Sequence, residues 1–301
     1  MPLFDRYIAV DWSAENKAKS GKDSIWIGTS EIGSLPTSEN PRTRHAAMAE
    51  LRTRCLAAIA AGERLLIGFD FAFGYPAGAA ETIGGTSSWQ SIWTRLAVDV
   101  VDGSDNVSNR FHAAERINRS LADGLARYWG HPWQHRYDAL TRHKPADNHR
   151  VIAEKRLVER YNSKTQPVWK LSGIGAVGSQ AFVGIPRLQA LRADPLLAGH
   201  VAIWPFETAF ANDLSKSITV AEIFPSIINV VAGKGEVRDR LQVEAISTLF
   251  ARADQAGKLK ELLSAPASLA SDDLPVVLAE EGWIVGVGHE ALVTALSRQA
   301  A

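Results

Sequence analysis

Two apolar runs of strand length, 7–11 and 65–70, each end in a single carboxylate, Asp11 and Asp70. Continuous runs of this kind predict strands buried on both faces. Further runs at 24–29, 200–207 and 217–225 predict three more strands. Between them, Ala46, Leu51, Cys55, Leu56 and Ile59 recur at helical spacing, which predicts a helix over 41–61 closed by Gly62. Residues 36–40 read as a loop. From 77 to 171 the pattern changes. Apolar stripes predict helices over 89–101, 107–128 (Phe111, Ala114, Ile117, Leu121 and Leu125) and 151–161, a helical insertion beside the Asp70 strand. A short strand is expected at 168–171, then a helix from Gln180 that Pro186 shortens. The last third reads as helices over 237–256, 259–263, 274–281 and 290–298. No repeat or low-complexity tract interrupts the order. The pattern predicts an α/β chain with one domain over 1–301, carrying the insertion 77–171.

Composition narrows the classes. With 46% hydrophobic and 22% charged residues the chain is an ordinary globular sequence. Its formal net charge is zero, so no global field draws it to nucleic acid or membrane, and any such binding needs a local patch. Cys55 is the only cysteine, which excludes an intrachain disulfide and a cysteine-based zinc site. Its place in an alanine-rich helical stretch makes it a small core residue rather than a nucleophile. The opening residues lead directly into a strand, without a signal-peptide pattern. No apolar run approaches the ~20 residues of a membrane span. A cytoplasmic location is expected.

The chemistry starts with the strand-end acids. An unpaired carboxylate beside buried strands costs several kcal/mol or shifts its pKa, so Asp11 and Asp70 are not there for packing. Each alone fits a cap on the next turn. Two such strand ends side by side fit a divalent-metal site. Glu222 lies inside an apolar run, where it needs a partner or a metal. Glu207 is a weaker candidate. Asp239 falls in the first turn of the 237–256 helix, where the dipole alone also explains it.

Between 106 and 170 there are thirteen Lys and Arg against six Asp and Glu, with five histidines and with Trp129, Trp133, Tyr137 and Trp169 interleaved. That mixture suits a phosphate-rich, base-bearing ligand. It equally suits a solvated helical face with its aromatics inside. His131 and His135 are four apart, but Pro132 and the lack of a third ligand weigh against zinc. Gly173, Gly175 and Gly178 fit a Gly-x-Gly-x-x-Gly spacing. The loop reads as a phosphate or substrate loop, a structural turn, or a dinucleotide fingerprint. The poor strand before it disfavours the last.

Ala9-Val10-Asp11-Trp12-Ser13, Gly68-Phe69-Asp70-Phe71-Ala72-Phe73-Gly74-Tyr75-Pro76, Ala221-Glu222-Ile223-Phe224-Pro225 and the helix opening Arg238-Asp239-Arg240-Leu241-Gln242 resemble, in that order, the ribonuclease H-like superfamily. More narrowly, they resemble an uncharacterised bacterial branch of predicted RNase H-like nucleases. Asn109-Arg110-Phe111-His112-Ala113-Ala114-Glu115-Arg116 is similar, more loosely, to an Arg-and-acid segment of that branch.

The resemblance implies a mixed sheet flanked by helices, with a carboxylate cluster that binds Mg²⁺ or Mn²⁺ and hydrolyses phosphodiester bonds. Asp11, Asp70, Glu222 and Asp239 match the catalytic acids, with Asp11, Asp70 and Asp239 as metal ligands. Gln242 stands where the branch tends to carry a second helix acid, which leaves one metal position short of a charge. Ser13, Lys170, Ser172, Gly173, Gly175, Gly178, Arg110 and Arg116 are the candidate substrate contacts. The expected partner is nucleic acid or another phosphate-bearing ligand held by the basic aromatic insertion. Two other readings stay open. One is a nucleotide-binding phosphotransferase or ATPase of related architecture, against which no Gly-x-x-x-x-Gly-Lys-[Ser/Thr] loop exists. The other is a non-catalytic binding protein, whose acids are caps and ion-pair partners.

Overall fold

A computed structural model describes residues 1–147, 149–162, 164–173 and 175–298. The predicted strands assemble into one six-stranded mixed sheet. β1 (Arg6–Asp11), β2 (Trp26–Ser30) and β3 (Thr37–Glu39) form an antiparallel meander. β4 (Leu65–Phe69) lies parallel to β1, β6 (Ile218–Glu222) parallel to β4, and β5 (Val201–Ile203) parallel to β6 at the edge. The order across the sheet is β3-β2-β1-β4-β6-β5. β3 lies in the expected loop. Its Thr-Ser-Glu sequence carries no apolar signal, and only pairing with β2 makes it a strand.

Alternation sorts the strand side chains onto two faces. Ile8, Val10, Ile67, Phe69 and Val220 point to one core, shared with α1 (Arg44–Ala61), α3 (Trp89–Asp99), α4 (Arg110–Ser120) and α6 (Gly178–Ala193). Tyr7, Ala9, Leu66 and Ala221 point to the other, shared with α7 (Arg238–Gln255), α8 (Leu259–Leu262) and α10 (Glu290–Arg298). Thr43 caps α1 by accepting the Ala46 N–H, and Gly62, at φ 71°, ends it. α7 lies directly on β2. A Cβ on Gly28 would stand 2.6 Å from the Val243 backbone, so only glycine admits the helix this close. Among the described residues no helix is long and apolar enough to cross a membrane.

The insertion is less helical than its stripes predict. Besides α3 and α4 it holds α2 (Ala79–Gly84) and α5 (Leu157–Tyr161), while most of 121–156 is irregular. Buried Asn118 organises that stretch. Its side chain donates to the Tyr128 and Ala139 carbonyls and accepts the Arg127 and Tyr128 N–H groups. The expected helix over 107–128 therefore ends at Ser120, just before the turn at Gly124 (φ 68°). The expected strand at 168–171 is reduced to an isolated bridge between Trp129 and Lys170. α6, by contrast, runs through Pro186. Phe182, Val183, Ile185, Leu188 and Leu191 are all buried, and this packing outweighs one lost backbone bond. Over 274–281, a short α9 (Leu274–Val276) passes into a π-turn.

Candidate functional site

Register brings Asp11 and Asp70 together. Val10 pairs with Phe69 across the parallel β1–β4 ladder, and each aspartate is the next residue. The Asp70 N–H donates to the Val10 carbonyl at 3.2 Å, and the Trp12 N–H donates to Asp70 Oδ1 at 2.6 Å. The two carboxyl groups are half-buried and hydrogen-bonded to each other. Burial raises the Asp11 pKa well above the usual carboxylate range, and the charges of Asp70 and Asp239 add to this. Burial pushes Asp70 up to about 7, against the opposing bonds from the Trp12 N–H and from Asp11. Burial thus favours the neutral form of both acids relative to a free carboxyl group.

Asp239 supplies the third carboxylate from the first turn of α7. Its Oδ2 accepts the Asp23 N–H at 2.7 Å. Asp23 has φ 55°, a left-handed conformation uncommon outside glycine and concentrated at functional sites. Asp11, Glu15, Asp23 and Asp239 line a cleft of about 560 Å³. Trp12, Ser13, Gly173, Ala176 and Gln180 also line it. Gln180 ties two of these segments together, donating from Nε2 to the Trp12 carbonyl at 2.7 Å. Ser13 Oγ accepts the Glu15 N–H.

The glycine loop thus shares a cleft with Asp11 and Asp239. Gly173 (φ 95°) and Gly175 (φ 72°) need glycine for their backbone, and Gly173 leaves the cleft wall without a side chain. Ile174 lies outside the described residues. Gly178 has a different role. It opens α6, its N–H donates to the Lys170 carbonyl at 3.0 Å, and a Cβ there would sit 2.2 Å from the Val168 carbonyl oxygen. Ser172 packs its backbone against Gly130, and Lys170 lies over the Trp129 ring at 5.4 Å.

Glu222 does not join the aspartates. It pairs with Phe69 in the β4–β6 ladder and therefore shares the face of Phe69, opposite to that of Asp70. There Arg156 holds it in a bidentate pair at 2.6 and 2.8 Å, and Glu222 Oε2 also accepts the Phe73 N–H at 2.9 Å. The partner an apolar run demands is this arginine. Arg156 also binds Glu159 and the Glu281 carbonyl, all buried, so it belongs to the interior and not to a basic ligand surface. A cavity of about 90 Å³, lined by Asp70, Lys164, Gln166 and this ion pair, lies between the two groups.

Arg110 does not line the cleft but bonds residues next in sequence to its lining. It donates from Nε to Ser179 Oγ at 3.0 Å and from Nη1 to Asn16 Oδ1 at 2.6 Å. Burial, with the charge of Arg44, lowers its pKa to about 10. Arg116 does not line the cleft. It donates to the Asp99 carbonyl at the end of α3. His131 and His135 sit on a turn, where both rings pack against Tyr137.

Sequence reasoning missed Glu15, Asp23, Gln180 and Arg44. Arg44 is fully buried, grips Asp102 through two nitrogens, and donates to the Ser13 and Glu15 carbonyls at 2.9 Å each, which fixes the loop after β1. An arginine opening a helix opposes the helix dipole, and that was the available signal of a tertiary partner.

The donor chemistry fits a hard divalent cation. Asp11, Asp70 and Asp239 offer carboxylate oxygens, the ligands that such a cation takes. Among the described residues no group of three or more His, Cys, Asp or Glu side chains is already arranged to hold a metal ion. Compared with protein-family models, with curated proteins and with solved structures, the chain matches none.

Proposed function

We propose that the cleft hydrolyses phosphodiester bonds with Mg²⁺ or Mn²⁺ held by Asp11, Asp70 and Asp239. The observation that carries this reading is the ladder register that sets Asp11 and Asp70 side by side at the ends of β1 and β4, with Asp11 and Asp239 lining one open cleft. Acids whose pKa values are pushed up together in a cleft mark a functional site. The strand order, an antiparallel β1–β2–β3 meander followed by parallel β4 and β6, supports the ribonuclease H-like reading of the sheet.

A divalent ion there would lower the pKa of the attacking water and stabilise the leaving oxygen. The residues do the rest. The Trp12 N–H fixes Asp70 Oδ1. The Asp23 N–H orients Asp239. Gly173 lets a phosphate approach the wall. Arg110 stands beside the cleft to meet a neighbouring phosphate. Glu222 is outside the donor set, because its charge is matched by Arg156.

The test is cleavage of labelled oligonucleotides with Mn²⁺ by the wild type and by Asp11→Asn. The expected result is cleavage by the wild type alone, with both proteins folded. Equal rates, or no cleavage of DNA or RNA by either, overturn the reading.

A further inference from the structure

Tyr137 stands at the centre of an open cluster of rings beside the cleft. His112 and His131 meet its ring edge-on, with centroids 5.1 and 5.2 Å away, and His135 lies tilted against it at 6.1 Å. His112 and His135 are exposed, and Tyr137 is half-buried. Phe111 is buried beneath His135, stacked at 6.4 Å, and roots the cluster in the core. Arg110 lies over Phe111 at 4.6 Å. The same arginine bonds Asn16 and Ser179, the neighbours of the cleft-lining Glu15 and Gln180. One guanidinium therefore joins the rings to the aspartate cleft.

Packing accounts for this surface only in part. Tyr137 packs against the core that holds Phe111, while His112 and His135 stay exposed. The charges that act on Tyr137 are Arg110 and Glu115, and Glu115 is itself paired with Arg119. Stacked ring faces next to a cation fit unpaired nucleobases joined by phosphates. A duplex hides its base faces in its own stack, whereas a single strand offers them.

We infer that the Tyr137 cluster is a nucleobase-stacking subsite and that the strand entering the cleft is single-stranded nucleic acid. A base stacks on Tyr137 and His135 while Arg110 takes the adjoining phosphate and leads the backbone to Asp11. The inference rests on the phosphodiester reading for the position of the scissile bond. The rings stand without it.

Binding without divalent ions separates the two. A fluorescent oligothymidylate of about ten nucleotides, the length of one such groove, and a duplex of the same length are titrated with each protein, followed by anisotropy in EDTA. The wild type is expected to prefer the single strand. Tyr137→Ala is expected to weaken that binding on the order of tenfold, and Tyr137→Phe to keep it. His135→Ala, at an exposed position, is expected to weaken it too, and carries the test if Tyr137→Ala does not fold. Affinity unchanged in His135→Ala or in a folded Tyr137→Ala, preference for the duplex, or no binding of either probe overturns the inference. Tyr137-dependent binding with no cleavage in Mn²⁺ supports the subsite and removes the nuclease reading. Asp11-dependent cleavage with affinity insensitive to Tyr137 does the reverse.

Discussion

Glu222 and Asp70 stand one residue out of step across the β4–β6 ladder. Glu222 faces Phe69, not Asp70, so the two acids leave the sheet on opposite faces. One face holds the Asp11–Asp70–Asp239 group, and the other holds a saturated Arg156–Glu222 ion pair. The same sheet end thus separates an uncompensated acid cluster from a compensated one.

That separation predicts opposite behaviour on mutation. Glu222→Leu leaves Arg156 buried with only Glu159 as a charged partner and is expected to cost about 3–5 kcal/mol. The Mn²⁺-dependent rise in melting temperature should persist. Asp11→Asn removes an acid that burial and two neighbours oppose, so its metal-free stability at pH 8 should match or exceed the wild type, while its Mn²⁺ response disappears. Urea unfolding and melts of the two variants, with and without Mn²⁺, check both. Loss of the Mn²⁺ response in Glu222→Leu would place Glu222 back in the donor set.

The pH dependence has a defined sign. Asp70 is raised to about 7 in the folded protein, above the carboxylate value of an unfolded chain, and Asp11 is raised too. The folded state then binds protons more tightly than the unfolded one. Stability is full below the unfolded value of about 4 and falls as pH rises through 7. In EDTA the melting temperature should drop between pH 5 and pH 8, and Asp11→Asn should flatten that drop. A wild-type melting temperature that rises over this window would contradict the raised carboxyl values.

Packing of α7 on β2 places Asp239. A methyl at Gly28 would meet the Val243 backbone at 2.6 Å, so Gly28→Ala must lift the helix. A loss of about 1–3 kcal/mol is expected, as for other overpacked cores. Because Asp239 opens the same helix, the Mn²⁺ midpoint in a thermal-shift titration should move to higher concentration. Destabilisation with an unchanged midpoint would mean that Asp239 is not a ligand.

The strands and the long helices could be read because their signals are local. The runs at 7–11, 65–70 and 217–225 carry enough apolar residues to be strands in any context, and α1 and α7 carry regular stripes. α4 overshoots because Leu121 and Leu125 keep helical spacing past Ser120, where Asn118 bonds the backbone of a returning loop. Nothing near Asn118 in sequence announces Tyr128 and Ala139 as its partners. The site divides in the same way. Asp11 and Asp70 were visible as strand-end acids, but the exclusion of Glu222 depends on ladder register, which the chain does not spell out. Arg156, in a basic run, looks like a surface residue, and its burial follows only from the insertion folding over β6.

Metal and proton should compete at the Asp11–Asp70 pair. Carboxylate ligands bind a divalent ion in their ionised form, so an ion at Asp70, raised to about 7, displaces a proton below that pH. The affinity for Mn²⁺ should therefore rise with pH. Between pH 5.5 and 6.5 the midpoint is expected to fall by about tenfold, the change for one proton released per ion. Calorimetry of the wild type in two buffers of different ionisation enthalpy measures the release directly, and Asp11→Asn should abolish it. Tight Mn²⁺ binding with no proton release at pH 6 would show that the ion sits elsewhere in the cleft, on Glu15, Asp23 and Asp239, and would move the proposed chemistry away from the strand ends.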